Sequence, residues 1–321
     1  MTHQKTVLVT GCSEGGIGAA LVAEFARRGC RVFATARNPD KLEFLTKEQH
    51  LAQGGSITPL QLDVTSDTSI AECVAAVDQA LSSRAGETEG EGEAQGLDIL
   101  VNNAGINHIM PFADASVSDL RRVIDTNVVG AFAVTHGFLP LLMRASKSKR
   151  SQGKSGGGAV VASVGSVNEI FHPPYQAAYS ASKAAVHAMA RSLRVELAPL
   201  GVRFVTLVTG SVRTRLFENA PTVLPEGSAY APLKEDIEGR SFLKNARFID
   251  PEEYAREVVA GLLRDQPKRN IWAGGMSTVA WLLSWLGWEG MMVSFSTSYL
   301  QNGVHDDYGR HGLMNRYRTR L

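Results

Sequence analysis

A tyrosine and a lysine four residues apart, in the run Tyr179-Ser180-Ala181-Ser182-Lys183, are the side chains in this sequence best suited to move a proton. On a helix they share one face, about a turn from each other. A free phenol has a pKa of about 10. A cation roughly 4 Å away, at an effective dielectric of about 20, favours the phenolate by about 4 kcal/mol. That is enough to lower the pKa by about three and to suit the phenol for general acid–base work. Alone, Y-x-x-x-K is usually a solvated helix face, so its weight comes from what surrounds it.

A second chemistry is written near the N-terminus. Thr10-Gly11-Cys12-Ser13-Glu14-Gly15-Gly16-Ile17-Gly18 follows an apolar strand and opens a helix. Glycines there let the backbone turn tightly and approach a pyrophosphate seated on the helix N-terminus. The next strand ends Ala34-Thr35-Ala36-Arg37, and no acid follows before Asp40. An NAD site would place an acid here for the ribose hydroxyls. Arg37 instead suits a 2′-phosphate, with Ser13 able to add a hydroxyl, so the expected cofactor is NADP(H).

These groups need a frame. Short apolar runs at 7–10, 31–35, 57–62, 97–102, 159–163, 203–208 and 269–273 alternate with helix-length segments such as 17–28, 69–82, 117–143 and 177–197. That alternation predicts βαβ units and a parallel sheet covered on both faces. Two low-complexity inserts, acidic at 84–96 and basic at 146–158, each precede a strand. They are expected as solvated loops at the edge away from the ligand, and the acidic one is expected to lie beside the basic one. The 321 residues are 44% hydrophobic and 20% charged, the make-up of a globular protein with a sizeable core. Thirty-three basic against 32 acidic side chains give no bulk field for nucleic acid. Cys12, Cys30 and Cys73 are isolated, with no metal-ligand spacing and no disulfide framework. With no signal peptide read at Met1, a reducing, cytoplasmic setting is expected.

Taken together the chain resembles the classical short-chain dehydrogenase/reductases over roughly residues 5–273. The motifs stand in that family's order: the loop at 10–18, Leu62-Asp63-Val64, Asn102-Asn103-Ala104-Gly105, Thr126-Asn127-Val128, Ser166, then Tyr179 with Lys183. The resemblance implies a Rossmann-like, doubly wound, seven-stranded and mostly parallel sheet. It implies a catalytic set of Asn127, Ser166, Tyr179 and Lys183. Tyr179 would be the general acid, Lys183 would lower its pKa and hold the nicotinamide ribose, Ser166 would meet the carbonyl, and Asn127 would hold a water linking Lys183 to solvent. Gly11, Ser13, Gly16, Ile17, Gly18, Arg37, Asp63, Asn103, Ala104, Gly105, Asn127, Tyr179, Lys183, Val212 and Thr214 would contact the cofactor, Asp63 at the adenine amine. The family's serine stands thirteen residues before the tyrosine, which selects Ser166 over Ser163.

Two departures stand out. The glycine loop has one extra residue, which leaves open whether Gly15 or Gly16 is the matching glycine. The family's Pro-Gly after the sixth strand reads Thr209-Gly210, and a looser loop is expected because threonine does not fix φ. Asp250 and Pro251 signal a helix start. His108, His172 and Tyr175 are expected to line the substrate pocket.

The substrate side is apolar. Residues 216–243, within an expected substrate loop of about 211–248, are long and irregular and carry Leu216, Phe217, Leu224, Tyr230 and Leu243 among prolines. They suggest a hydrophobic or lipid carbonyl substrate. After the catalytic domain, 1–273, the extension 274–321 starts with an apolar helix. From 271 to 305 the only charged residue is Glu289, and Trp272, Trp281, Trp285 and Trp288 all fall there. With Arg310, Arg316, Arg318 and Arg320 behind it, the stretch 272–298 suits a membrane or lipid-droplet surface, and equally a pocket cap or a buried dimer contact. The tail and glycine loop are similar to the NADPH-dependent 1-acyldihydroxyacetone-phosphate reductase branch, whose members sit on endoplasmic reticulum or lipid droplets. A tailoring ketoreductase of polyketide-type secondary metabolism and a steroid or retinoid dehydrogenase are the alternatives. The resemblance also implies a homodimer or homotetramer.

Overall fold

The structure is a computed structural model that describes residues 4–46, 54–83, 95–151, 158–220, 222–243 and 246–286. Seven strands form one sheet: β1 (Thr6–Val9), β2 (Arg31–Ala36), β3 (Ser56–Gln61), β4 (Ile99–Asn102), β5 (Ala159–Val164), β6 (Val202–Thr209) and β7 (Asn270–Ala273). Their order is β3-β2-β1-β4-β5-β6-β7, and every ladder is parallel. The central strands β1, β4 and β5 are buried on both faces because helices cover both. Alternate side chains go to opposite layers: Val7 and Val9 belong to the core that holds Phe25 and Tyr254, whereas Leu8 belongs to the one that holds Val77, Phe138 and Leu197.

The first layer is built by α1 (Ile17–Arg27) and α8 (Pro251–Leu262), and the second by α2 (Asp67–Ser82), α4 (Gly130–Ser151) and α6 (Ala177–Leu197). Helix α2 starts two residues before the expected position, because the Ser66 hydroxyl accepts from the Ser69 N–H and caps it. Asp250 is the N-cap of α8 with Pro251 at its first turn, as read, but its carboxylate does not cap; it lies 3.6 Å from Arg213 Nε.

The expected single helix over 117–143 is three pieces: α3 (Val117–Ile124), a π-turn (Asp125–Val129) and α4. Helix α4 continues to Ser151, so the first six residues of the supposed basic loop are helical. Ser146 explains why: it is buried, its one hydroxyl proton is shared between Leu142 O (3.1 Å) and Gly201 O (2.9 Å), and it accepts from the Ala159 N–H (2.9 Å), which ties the helix end to β5. The rest of that insert, and 84–94 of the acidic one, lie outside the described residues.

Short helices α5 (Asn168–Phe171) and α7 (Lys234–Glu238), the last described helix α9 (Ser277–Leu286) and 3₁₀ helices at Pro39–Thr46, Ala231–Leu233 and Ser241–Leu243 are the other helical elements. The order reverses between β1 and β4, which run outward to opposite edges. In such sheets ligands bind at the strand carboxyl ends beside that reversal.

Candidate active site

A cleft of ≈1340 Å³ lies there, lined from Gly11 at the end of β1 to Met276 before α9. That exceeds the usual 300–1,000 Å³ of a single small-ligand site and is room for a dinucleotide and a substrate together.

On the cofactor side the backbone does the shaping. Thr10 closes the gap between β1 and β4: its hydroxyl accepts from the Asn103 N–H (3.0 Å) and the Ala104 N–H (2.9 Å). The Asn103 amide answers by donating to Thr10 O (2.8 Å) and Gly11 O (2.9 Å). Gly11 is left-handed, with φ +71°, and a Cβ there would strike the Ala104 backbone 2.8 Å away. The extra loop residue is absorbed by a turn in which the Gly16 N–H reaches Ser13 O (3.1 Å). Gly16 faces the cleft and starts α1, whereas Gly15 does not line it. Gly18 does not line it either. A Cβ at Gly18 would collide with Gly11 O and the Asn103 amide, so this glycine lets α1 pack against the loop.

Ser13, Ile17, Arg37, Asp63, Ala104 and Gly105 do line the cleft, as do Asn103, Val212 and Thr214. Lys41, which the sequence reading missed, joins Arg37 at this end. Asp63 accepts from the Thr65 hydroxyl (2.7 Å) and N–H (2.9 Å); these bonds, with nearby Arg37, hold its carboxyl below the usual range. Two cations and Ser13 at one end, a cradle without Cβ atoms at Gly11, and an ionised carboxylate beside them fit a dinucleotide carrying a 2′-phosphate.

The predicted catalytic side chains come together except for one. Ser166, Tyr179 and Lys183 line the cleft, and Ser166 hydrogen-bonds the Tyr179 phenol. Ser163 is buried away from it and accepts from Asn102 Nδ2 (3.3 Å). Asn127 does not line the cleft. It sits in the π-turn, buried, with Nδ2 donating to Ile106 O (2.9 Å) and Ser182 Oγ (2.9 Å) and Oδ1 accepting from the Ile106 N–H (2.8 Å). Its side chain therefore braces the 103–106 strand exit against α6.

The expected sign of the Tyr179 shift is also reversed. Burial pushes the phenol up to about 12, against the Ser166 hydrogen bond, and pushes Lys183 down to about 8. The lysine Nζ lies 5.5 Å from the centre of the tyrosine ring and donates to Val164 O (2.8 Å). It faces the π-cloud and a carbonyl instead of the phenol oxygen, so desolvation outweighs the ion pairing that spacing alone suggests.

A model of the short chain dehydrogenase family matches residues 5–223. The chain belongs to that family. It is 36% identical over 286 residues to the short-chain dehydrogenase fogD of Aspergillus ruber, with 89% of each chain covered. It is 34% identical over 262 residues to the NADPH-dependent 1-acyldihydroxyacetone phosphate reductase of Schizosaccharomyces pombe, covering 79% of this chain and 77% of that one. Among solved structures, a short-chain dehydrogenase from Streptomyces avermitilis shares the fold with a TM-score of 0.69 at 24% identity, covering 95% of this chain and all of that one. The protein is thus an oxidoreductase of the short-chain dehydrogenase/reductase family.

This dehydrogenase replaces the family's proline after β6 with Thr209, and the loop is not loosened. The Thr209 hydroxyl is 2.7 Å from the fully buried Tyr254 phenol, and its carbonyl accepts from the Val167 N–H (3.0 Å). Gly210 and Ser211 pair with Ala273 O and Gly275 O, both at 2.8 Å, and Arg213 with Ile249 O at 2.9 Å. Hydrogen bonds on both sides replace the missing ring.

The substrate wall differs from the expected one as well. His108, His172 and Tyr175 do not line the cleft; Asn107, Phe171, Pro173, Pro174 and Gln176 do. His108 is buried with Nε2 3.7 Å from Asp119, and burial lowers its pKa. His172 and Tyr175 are left-handed (φ 45° and 63°) and aim the two prolines between them inward. Tyr175 instead meets Tyr230 edge-on at 6.1 Å, and Phe217 meets Phe248 likewise at 6.4 Å. A buried pair, His187 Nδ1 to Glu169 at 2.6 Å, joins α5 to α6 behind this wall.

Helix α9 packs through Ala280 and Leu283 on Ile170, Phe171, Val208 and Trp272. Phe171 and Met276 carry that packing to the cleft. The opposite face bears exposed Val279, Trp281, Leu282, Trp285 (76% exposed) and Leu286. Trp288 and the arginines beyond it lie outside the described residues.

Proposed function

We propose that this protein is an NADP(H)-dependent carbonyl reductase that converts a ketone on a hydrophobic or lipid substrate to a secondary alcohol. The observation that carries this reading is the convergence of Ser166, Tyr179 and Lys183 in one cleft whose far end holds Arg37, Lys41 and Ser13. The nicotinamide, when bound, supplies the hydride. The Ser166 hydroxyl orients the substrate carbonyl, and the Tyr179 phenol, kept protonated by burial, gives its proton to the carbonyl oxygen. Lys183 would hold the nicotinamide ribose, and its positive charge favours the phenolate left behind. Asn127 positions the 103–106 backbone.

The lipid ketone reading is supported by the relative named for 1-acyldihydroxyacetone phosphate and by the apolar wall of Phe171, Leu216 and Phe217. The Phe217 ring on the cleft wall, held edge-on by Phe248, favours a second reading, a tailoring ketoreductase for a fused-ring, polyketide-type ketone. NADPH oxidation with an acyl-dihydroxyacetone phosphate beside a fused-ring aromatic ketone separates the two. In either case Tyr179→Phe is expected to lose about 10²-fold or more in turnover. Full turnover in Tyr179→Phe sinks the mechanism.

The outer face of α9 is, in this proposal, a peripheral lipid-surface contact on the cytoplasmic side: exposed tryptophans seek the interface between water and hydrocarbon. Flotation of the full chain with anionic liposomes, lost in the double variant Trp281→Ser, Trp285→Ser, is the expected result; no flotation of the natural chain removes it. The exposed Val129 at the end of the π-turn, Phe132 on α4 and Val195 on α6 are proposed as the homodimer face.

A further inference from the structure

The substrate loop touches the phosphate loop through Arg215. Arg215 stands six positions past the end of β6, just after Thr214, and lines the cleft. Its Cδ and Cγ lie 3.1 and 3.3 Å from where a Cβ on Gly15 would be. The methylene stem thus lies along the bare backbone of Gly15, two hundred residues away in sequence. Long cationic side chains commonly cover a surface with their stems while the head stays in water. Here the stem brings the head to the rim that Glu14 and Gly16 form.

The surroundings are short of positive charge where an anion would sit. The first turn of α1 has no acidic residue, but Glu14 lines the same rim and opposes an incoming phosphate. Arg37, just past β2, and Lys41, in the 3₁₀ helix that follows, mark the 2′-phosphate end. The only ion pair described for Arg215 is with Glu218, Nε to Oε2 at 3.4 Å, with both side chains mostly exposed. Such a pair contributes little and can be exchanged for the stronger fork that a guanidinium makes with phosphate oxygens.

We propose that Arg215 binds the cofactor diphosphate and, because Leu216 and Phe217 follow it on the cleft wall, couples cofactor binding to placement of the substrate loop. The dinucleotide thereby draws the apolar wall over the site, and the carbonyl substrate enters an arrangement that the cofactor has completed. This rests on the dinucleotide reading above. It assigns the diphosphate to a side chain of the substrate loop, separate from the discrimination by Arg37 at the other end.

The test is binding of NADPH, NADH and 2′,5′-ADP to the full chain by fluorescence titration, in Arg215→Met and Arg37→Met. Methionine keeps a stem against Gly15 and removes the guanidinium. Arg215→Met is expected to weaken NADPH and NADH alike, by about tenfold, and to leave 2′,5′-ADP, which lacks the diphosphate, within about twofold. Arg37→Met is expected to weaken NADPH and 2′,5′-ADP and spare NADH. NADPH is also expected to slow tryptic cleavage within residues 216–243 in the natural chain and not in Arg215→Met. Natural NADPH affinity in Arg215→Met, or an equal loss for 2′,5′-ADP, overturns the proposal while leaving the cofactor reading in place. A natural chain that binds neither dinucleotide overturns the cofactor reading itself.

Discussion

The two sides of the cleft are held by different means. On the cofactor side, backbone meets backbone: Thr10, Gly11, Asn103 and Gly18 interlock with no space for another carbon atom. On the substrate side, side chains do the work: aromatic pairs, left-handed turns at His172, Tyr175 and Met276, and a helix with tryptophans on its outer face. A cofactor of fixed shape rewards fixed atoms. An apolar substrate needs area, which many sequences can supply. The first side should tolerate almost no change and the second a great deal.

Gly18→Ala should be the most damaging test of that contrast. Its Cβ meets Gly11 O, a backbone atom that cannot turn aside. About 1–3 kcal/mol of stability and most NADPH binding should go, as read by the melting temperature and by fluorescence titration. A variant that melts and binds like the natural chain would show that the loop is as adaptable as the substrate side. Arg37→Asp comes next, with NADPH weakened by roughly tenfold or more and NADH little changed in the same titration; equal losses would remove the 2′-phosphate from this end.

A pH series gives a smaller effect. Lys183 is held down at about 8, so it is charged below that pH and loses its proton above it. Since kcat/KM reports the free enzyme, kcat/KM for NADPH should fall by one proton above about pH 8. That limb should be missing from whatever activity Lys183→Arg retains, because a guanidinium stays charged. A profile flat to pH 10 would mean that the lysine is not desolvated. Trp285→Ser should do least: under about 0.5 kcal/mol on stability and no change in kcat on a small, water-soluble ketone. A clear drop in kcat would move α9 from the protein's outer surface into the site.

The frame was legible because it rests on burial. Runs such as Val7-Leu8-Val9 and Val160-Val161-Ala162 are apolar on both faces, and only a covered parallel sheet asks for that. The order of motifs likewise placed Ser166, Tyr179 and Lys183 in one cleft. What stayed hidden depends on depth and on distant neighbours. Four-residue spacing puts Lys183 near Tyr179, but cannot say that the amine finds Val164 O and that both groups are desolvated. Lys41 and Arg215 had no local motif to mark them. Thr209 looked like the loss of a proline because its partner, Tyr254, is forty-five residues away.

The π-turn at Asp125–Val129 was equally invisible, since the bond from the Gly130 N–H to Asp125 O follows from counting residues and not from their types. It fits one residue more than an α-helical turn holds, and so it shifts the phase of everything on one side relative to the other. Val123 before it and Val134 after it both reach the core, while Asn127 between them turns toward Ile106. Remove one residue and the helix would run on smoothly, but its earlier half would swing by about 100° and its core face would leave the core. The place of this asparagine is therefore protected by the length of the chain: a library that only exchanges residues can never ask the question that a single-codon deletion would answer.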